Sequence, residues 1–330
     1  MLKPAKRREG FHPLVYLLFS AVTLVVFVFC VAVGSVSVPL SELRTSMIIT
    51  GVRLPRVICC ALAGASLSVC GCAMQGLLKN PLADASTLGV SAGAGLGAVT
   101  AIAFGITLPG LPFAGTTVFA SLFAFVSLLA ILTLAYSIDR TLATNTIILI
   151  GVIFSMFVSA LMSILITFAG EKANHMIFWT MGSLSGSSYN NVLLLAGTLL
   201  VFGGVLTALS RELNAFAIGE ENARHIGVNV KRVKLLVLIA TSVLIGVCVS
   251  IGGTIAFVGL VTPHMVRMLT GPNHKRLMPA SLFGGAVLLM LCDLVSRTMF
   301  SPRELPIGVV TSLVGAVLFV RIFYASRRAK

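Results

Sequence analysis

Long apolar runs broken by short polar stretches dominate this chain. Runs of bilayer length fall at about 14–34, 57–78, 90–107, 113–136, 146–168, 191–209, 234–252, 254–270, 278–298 and 305–324. A helix crossing the hydrocarbon core needs about 20 such residues. Lipid satisfies no backbone N–H or C=O, so each run must pair its own backbone internally, as a helix does. The pattern predicts an all-α polytopic membrane protein of about ten transmembrane helices, a single transmembrane domain over 1–330. Gly93, Gly95 and Gly97 weaken the hydropathy of the third run, and Pro263 in the eighth predicts a broken helix.

Small residues recur at helix-packing spacing, as in Ala61-xxx-Ala65 and Gly64-xxx-Ser68. In lipid such residues let backbones approach closely, and van der Waals contact then drives association. Gly64, Gly71 and Pro81 share their spacing with Gly246, Gly253 and Pro263. That echo between the second and seventh runs is the kind of repeat that paired transporter halves leave, or a coincidence of three small residues.

Composition agrees with a membrane protein. Of 330 residues 57% are hydrophobic and 10% charged, against about 25% charged in a soluble domain. The net charge of +14 comes from basic residues lying between apolar runs, with no continuous basic stripe that would suit nucleic acid. Ten spans put both termini on one side. With them lie Lys3, Lys6, Arg7, Arg8, Lys79, Arg140, Arg211, Arg224, Lys231, Arg232, Lys234, Arg267, Lys275, Arg276, Arg321, Arg327, Arg328 and Lys330. The other side holds Arg44, Arg53, Arg56, Lys172, Arg297 and Arg303. Cytoplasmic loops carry the excess of Lys and Arg, so both termini are expected in the cytoplasm. The start of the chain mimics a signal peptide, but the run to Gly34 can span a bilayer and is expected to remain as the first span.

Several chemistries are poorly supported. No GxxxxGK[ST] phosphate loop occurs, so the chain lacks that means of holding ATP. Among the ten acids only Asp293 is expected well inside a span, one turn from Arg297. Ion-coupled carriers, the alternative class, usually keep buried ionisable residues as coupling sites. Gly182-Ser183-Leu184-Ser185-Gly186 lacks the GxSxG spacing of a nucleophile elbow, and His264 has no second His or carboxylate at ligand spacing. Cys30, Cys59, Cys60, Cys70, Cys72, Cys248 and Cys292 all fall in apolar stretches without a CxxC pair, as packing residues do. No metal or cofactor is expected.

Four segments carry more specific information. They are Arg53-Leu54-Pro55-Arg56 with Gly64 and Gly71; Gln75 to Asp84 (QGLLKNPLAD) with Leu88 to Ala94 (LGVSAGA); Gly252 to His264 (GGTIAFVGLVTPH); and Glu304 to Thr311 (ELPIGVVT). Together they resemble the FecCD permeases, the family of ferric-siderophore, haem and vitamin B12 importers, from about residue 53 to 320. The resemblance implies a vitamin B12 permease-like fold in a type II ATP-binding-cassette importer of a prokaryotic cytoplasmic membrane. It implies as partners a second permease copy, two ATPase subunits inside and a substrate-binding protein outside. The cargo would be an iron–siderophore complex ahead of haem or corrinoid.

The longest cytoplasmic connection, about 210–234, suits a short helix with acids first and Arg and His last. By resemblance Gly219, Glu220, Glu221, Ala223, Arg224 and Gly227 match the segment that docks on the ATPase; a solvated loop helix is the plainer alternative. Arg53, Arg56 and Arg297 match arginines that meet acids of the binding protein. Lipid phosphate, or Asp293 for Arg297, could occupy them instead. Thr144 and Asn145 match an inner gate, written Thr-Ser in the vitamin B12 permease, and either could simply cap the fifth helix. Trp179 suits interfacial anchoring, while Met156, Met162, Met176 and Met181 suit packing or an adaptable lining.

Overall fold

A computed structural model describes residues 13–36, 46–84, 88–107 and 114–328. The basic residues Lys3, Lys6, Arg7, Arg8, Arg44 and Lys330, used above for orientation, lie outside the described residues. Each of the ten apolar runs folds as helix. The first is α1 (Pro13–Ala32). The second is α2 (Leu54–Leu78), led in by a π-helical turn at Ile49–Arg53 so that helix continues from Ile49 to Leu78. Then come α3 (Val90–Phe104), α4 (Ala114–Ile138) and α5 (Thr144–Thr167). The short α6 (Ala173–Thr180) precedes the sixth run, which is α7 (Tyr189–Thr198), a π turn and α8 (Gly204–Ala208). Two short helices follow, α9 (Ser210–Phe216) and α10 (Glu220–His225). The chain closes with α11 (Val230–Gly252), α12 (Val258–Thr270), α13 (His274–Thr298) and α14 (Ile307–Arg328).

Among the described residues seven helices are long and apolar enough to cross a membrane, while the apolar stretches Val90–Phe104 and Ile307–Arg321 and the helix Val258–Thr270 are shorter. Hydropathy registers apolarity and not where the chain turns, and the turns are set by local contacts. Gly253 ends α11 with φ +66° and Phe257 opens α12 with φ +67°. Phe257 packs where Gly315 of α14 carries no side chain; a Cβ there would lie 2.3 Å from the Phe257 Cβ.

The bundle is organised around α2, which packs against α11, α12 and α13. Two glycine crossings set its distance from its neighbours. A Cβ on Gly64 would stand 2.2 Å from the Gly285 carbonyl oxygen, and one on Gly285 would meet the Gly64 oxygen at 2.2 Å and the Ser68 Cβ at 2.5 Å. The Gly64-xxx-Ser68 pair therefore forms the seat for α13, as small-xxx-small spacing predicts. One turn pair further on, Gly71 meets Gly259 of α12, where a Cβ would reach 1.8 Å from a backbone oxygen. Gly246 and Gly253 do not mirror these roles. The first faces Ala124 of α4, and the second ends a helix.

Pro263 does not break α12, because α2 repairs the missing bond. Proline lacks the N–H that would bond to the carbonyl four residues back, Gly259. Gln75 of α2 supplies the donor instead, its Nε2 lying 3.4 Å from the Gly259 oxygen and 3.1 Å from that of Leu260. Its Oε1 accepts from Arg267 Nη2 at 2.8 Å. One buried amide thus satisfies both a proline-containing helix and a half-buried arginine.

Candidate functional site

Two polar clusters sit at opposite ends of the bundle. At the first, Arg53 and Arg297 converge on the end of α1, with Arg56 beside them. Arg53 donates from Nη1 to the carbonyls of Ala32 at 2.9 Å and Val31 at 3.4 Å, and from Nη2 to that of Val36. Arg297 donates to the Cys30 carbonyl. The last carbonyls of a helix have no intrahelical partner and carry partial negative charge, so guanidinium donors there are doubly favoured.

Arg56 joins two carboxylates. Its Nε lies 2.8 Å from Asp293 Oδ1, and its Nη1 lies 3.0 and 2.9 Å from the two oxygens of Glu304. Asp293 Oδ2 also faces Arg297 Nε at 3.2 Å, an ion contact without hydrogen-bond alignment. The Glu304-Leu305-Pro306 segment is held in turn by Ser296. The Leu305 N–H donates to the Ser296 carbonyl at 2.9 Å, and the Ser296 hydroxyl donates back to the Leu305 carbonyl.

These arginines were expected as charges facing out from span mouths. All three are buried, at 5%, 6% and 2% exposure for Arg53, Arg56 and Arg297. The Asp293–Arg297 pair is present, and Asp293 is spoken for by two guanidiniums, which leaves no free carboxylate there for ion coupling. Sequence reading missed Glu304 and the Arg56–Asp293 pair. Its one available signal was the place of Glu304 at the head of the fourth motif, Glu304 to Thr311.

At the other end, α9, α10 and the turn before α5 form one block. Asn214 of α9 fastens it to α13: its Oδ1 accepts from the His274 N–H at 2.9 Å and faces His274 Nδ1 at 2.8 Å, while its Nδ2 donates to Asn273 Oδ1 at 2.9 Å. Gly219 enters α10 at φ +123°, a conformation that side-chain-bearing residues avoid. Acids Glu220 and Glu221 begin the helix, Arg224 and His225 end it, and Gly227 follows at φ +89°, as expected. Ala223 is fully buried against the bundle.

The turn between α4 and α5 is wound around Asp139. Its Oδ1 accepts from the Thr141 hydroxyl at 2.6 Å and the Thr141 N–H at 2.8 Å, and its Oδ2 accepts from the Ala143 N–H at 2.8 Å. The Thr141 hydroxyl above all, then these two amides, holds the Asp139 carboxyl below the usual aspartate range. Neither Thr144 nor Asn145 caps α5, which corrects the simpler of the two expectations. Ala143 occupies the capping position with no side-chain bond, and Asp139 takes its N–H. Thr144 points elsewhere, its hydroxyl 3.2 Å from Glu220 Oε1. Asn145 is exposed.

Glu220 also pairs with a lysine. Lys234 Nζ, almost wholly buried, lies 2.9 Å from Glu220 Oε2 and 3.0 Å from the Leu142 carbonyl. Nearby, Lys231 Nζ sits 4.7 Å over the Tyr136 ring, a second tie between α11 and the end of α4. A lysine placed at the very edge of an apolar run was the signal for a buried partner here.

Two lesser candidates can be placed. A cavity of about 480 Å³ opens among Thr180, Met181, Thr254, Gly308 and Ser312, so Met181 lines a cavity whereas Met176 is buried core. The Gly182–Gly186 segment is a turn in which the Ser183 and Ser185 hydroxyls lie 2.9 Å apart. Among the described residues no three His, Cys, Asp or Glu side chains gather as a metal set.

Residues 22–325 match the FecCD transport family. The chain belongs to that family. This FecCD permease is 42% identical over 281 residues to an uncharacterised ABC transporter permease, YvrB of Bacillus subtilis, covering 85% of this chain and 80% of that one. It is 38% identical over 278 residues to the cobalamin import permease BtuC of Halobacterium salinarum, covering 84% and 73%. A solved structure described as a metal-chelate type ABC transporter in an inward-facing conformation superposes with a TM-score of 0.87 at 32% identity, over 95% of this chain and all of that one. The FecCD permease is thus an integral membrane subunit of an ABC importer, all-α throughout its described residues.

Proposed function

We propose that this permease forms the membrane pathway of a metal-chelate importer, with iron–siderophore complexes as cargo ahead of haem and corrinoid. ATP would be hydrolysed on separate subunits, because the sequence has no phosphate loop of its own. The observation that carries the reading is the outward face of α10 and its flanks. Ile218 and Ile226 are 66% and 65% exposed beside Glu221 and Arg224, while Ala223 behind them is clamped to the bundle. A rigidly backed element with bare aliphatic side chains in a charged rim suits a soluble partner better than it suits solvent.

Ten crossings with both termini cytoplasmic would put that face inside, where two ATPases would meet residues 219–227 of two permease copies. The helical state of all ten runs and the distribution of Lys and Arg support this arrangement. Thr144 and Asn145, at the same end, are the inner gate of this proposal. Outside, the mouth bearing Arg53, Arg56 and Arg297 would receive the binding protein. Three guanidiniums against Asp293 and Glu304 leave one positive charge in excess, which favours an acidic partner surface. Because the three are buried, their part is to shape the mouth and its field.

The pathway performs no chemistry on its cargo and needs only differential stability of two conformations. The test is reconstitution in vesicles with the ATPase and binding protein, comparing ATP-dependent uptake of a ferric siderophore, haem and a corrinoid. Uphill uptake by the permease alone would overturn the proposal.

A further inference from the structure

The Glu220 carboxylate bonds both Lys234 of α11 and Thr144, the first residue of α5. From this we infer that Glu220 and Lys234 are positioning residues that latch α10 to the 139–144 turn, so that the two move as one body. The inference rests on the importer reading for its purpose, since it names how motion at the ATPase face would reach the inner end of α5.

The latch is built from both sides. On the α10 side, Ala223 is buried and Asn214 ties the preceding helix to α13, so Glu220 is held on a fixed base. On the α5 side, Asp139 closes the turn on itself through Thr141 and Ala143, and Leu142 sits buried at φ +52°, a conformation that a leucine keeps only when its surroundings enforce it. Between the two blocks run three polar contacts. Lys234 donates to Glu220 at 2.9 Å and to the Leu142 carbonyl at 3.0 Å, and Thr144 donates to Glu220 at 3.2 Å. An ammonium has three donors and no acceptor, so a buried Lys234 needs both of its oxygen partners, and losing either one leaves it poorly satisfied. The facing charged groups on the packed elements are Asp139 from the turn and Glu220 from α10, both opposite in sign to Lys234. The geometry of the cluster serves to hold two segments together.

Labels at Arg140 and Arg224 read the latch directly. Both positions are exposed, and the seven native cysteines are buried, so engineered Arg140→Cys and Arg224→Cys take spin labels selectively. In the purified full-length permease, with doubly labelled chains diluted in unlabelled ones, a single narrow distance is expected within each copy, and Glu220→Ala or Lys234→Met should broaden it. Thr144→Val removes one hydroxyl at constant shape and should broaden it less, which separates the latch from general misfolding. In the complex reconstituted with its ATPase and binding protein, and supplied with a ferric hydroxamate, Lys234→Met should raise the ATP consumed per chelate imported. An unchanged distance distribution in Glu220→Ala and Lys234→Met overturns the latch, whatever the complex does. If the wild-type complex imports no ferric hydroxamate, the siderophore reading fails while the distances still decide the latch.

Discussion

Arg56 and Asp293, separated by 237 positions in sequence, meet at 2.8 Å in the buried end of the bundle. The pair joins α2 to α13, and through Glu304 it also fixes the entry to α14. An ion pair away from water is a poor source of net stability, yet removing one member exposes the full desolvation cost of the other.

Replacing Asp293 by Ala leaves Arg56 with Glu304 alone and Arg297 with the Cys30 carbonyl. The expected loss is about 3–5 kcal/mol, the range for a buried pair broken on one side. Thermal unfolding in detergent measures it, and the double variant Asp293→Ala/Arg297→Met should recover part of the loss.

Gly71→Ala should be among the most damaging small substitutions in the chain. Its Cβ would fall 1.8 Å from the Gly259 oxygen, so α2 and α12 must separate. Overpacking typically costs about 1–3 kcal/mol, and a backbone obstacle belongs at the top of that range. Gly51→Ala has nothing within 4 Å and serves as the control. Equal melting temperatures for the two would contradict the close crossing.

Ile226→Asp and Ala223→Arg separate docking from seating. Ile226 is exposed, so its substitution should change stability by no more than about 0.5 kcal/mol while weakening association with the ATPase by about 1–2 kcal/mol, a factor of about 5–30. Ala223 is fully buried and faces the bundle. An arginine there should lift α10 off its seat, and limited proteolysis near 219–227 should accelerate in the permease alone. Protection of that segment in Ala223→Arg would show that α10 does not rest on this face.

Acid should loosen the turn before α5. Asp139 has its pKa depressed by the Thr141 hydroxyl first and by the Thr141 and Ala143 amides next. A depressed carboxylate contributes stability that is complete above its unfolded pKa, about 3.9, and is lost as pH falls through the lower folded value. Hydrogen exchange of the Thr141 and Ala143 amides, corrected for intrinsic rates, should therefore rise below about pH 4. Asp139→Asn should show no such rise.

Some tertiary contacts were legible because they are helical and local. Asp293 and Arg297 are four residues apart, so one helix alone brings them to the same face. Gly64 and Ser68 likewise announce a packing seat, though nothing in their spacing names Gly285 as the residue that fills it. The charges at either end of α10 and the glycines around it are also local, and they mark a short capped helix before any fold is known.

What the sequence determined by itself is the solvent and the scale: a chain this apolar must live in lipid, and continuous apolar runs of about 20 residues, twice the length of a barrel strand, satisfy their own polar groups there as helices. Its motifs also carry the family. Only the tertiary structure decided which way the polar side chains turn. Arg53 and Arg56 turn inward onto α1, Asp293 and Glu304, Ala223 inward to the bundle, and Thr144 toward Glu220. The reason is physical: a charge at a span's end is satisfied equally by water, lipid phosphate or a partner from a distant helix. Close packing at Gly64–Gly285 and Gly71–Gly259 fixes which of these lies within 3 Å.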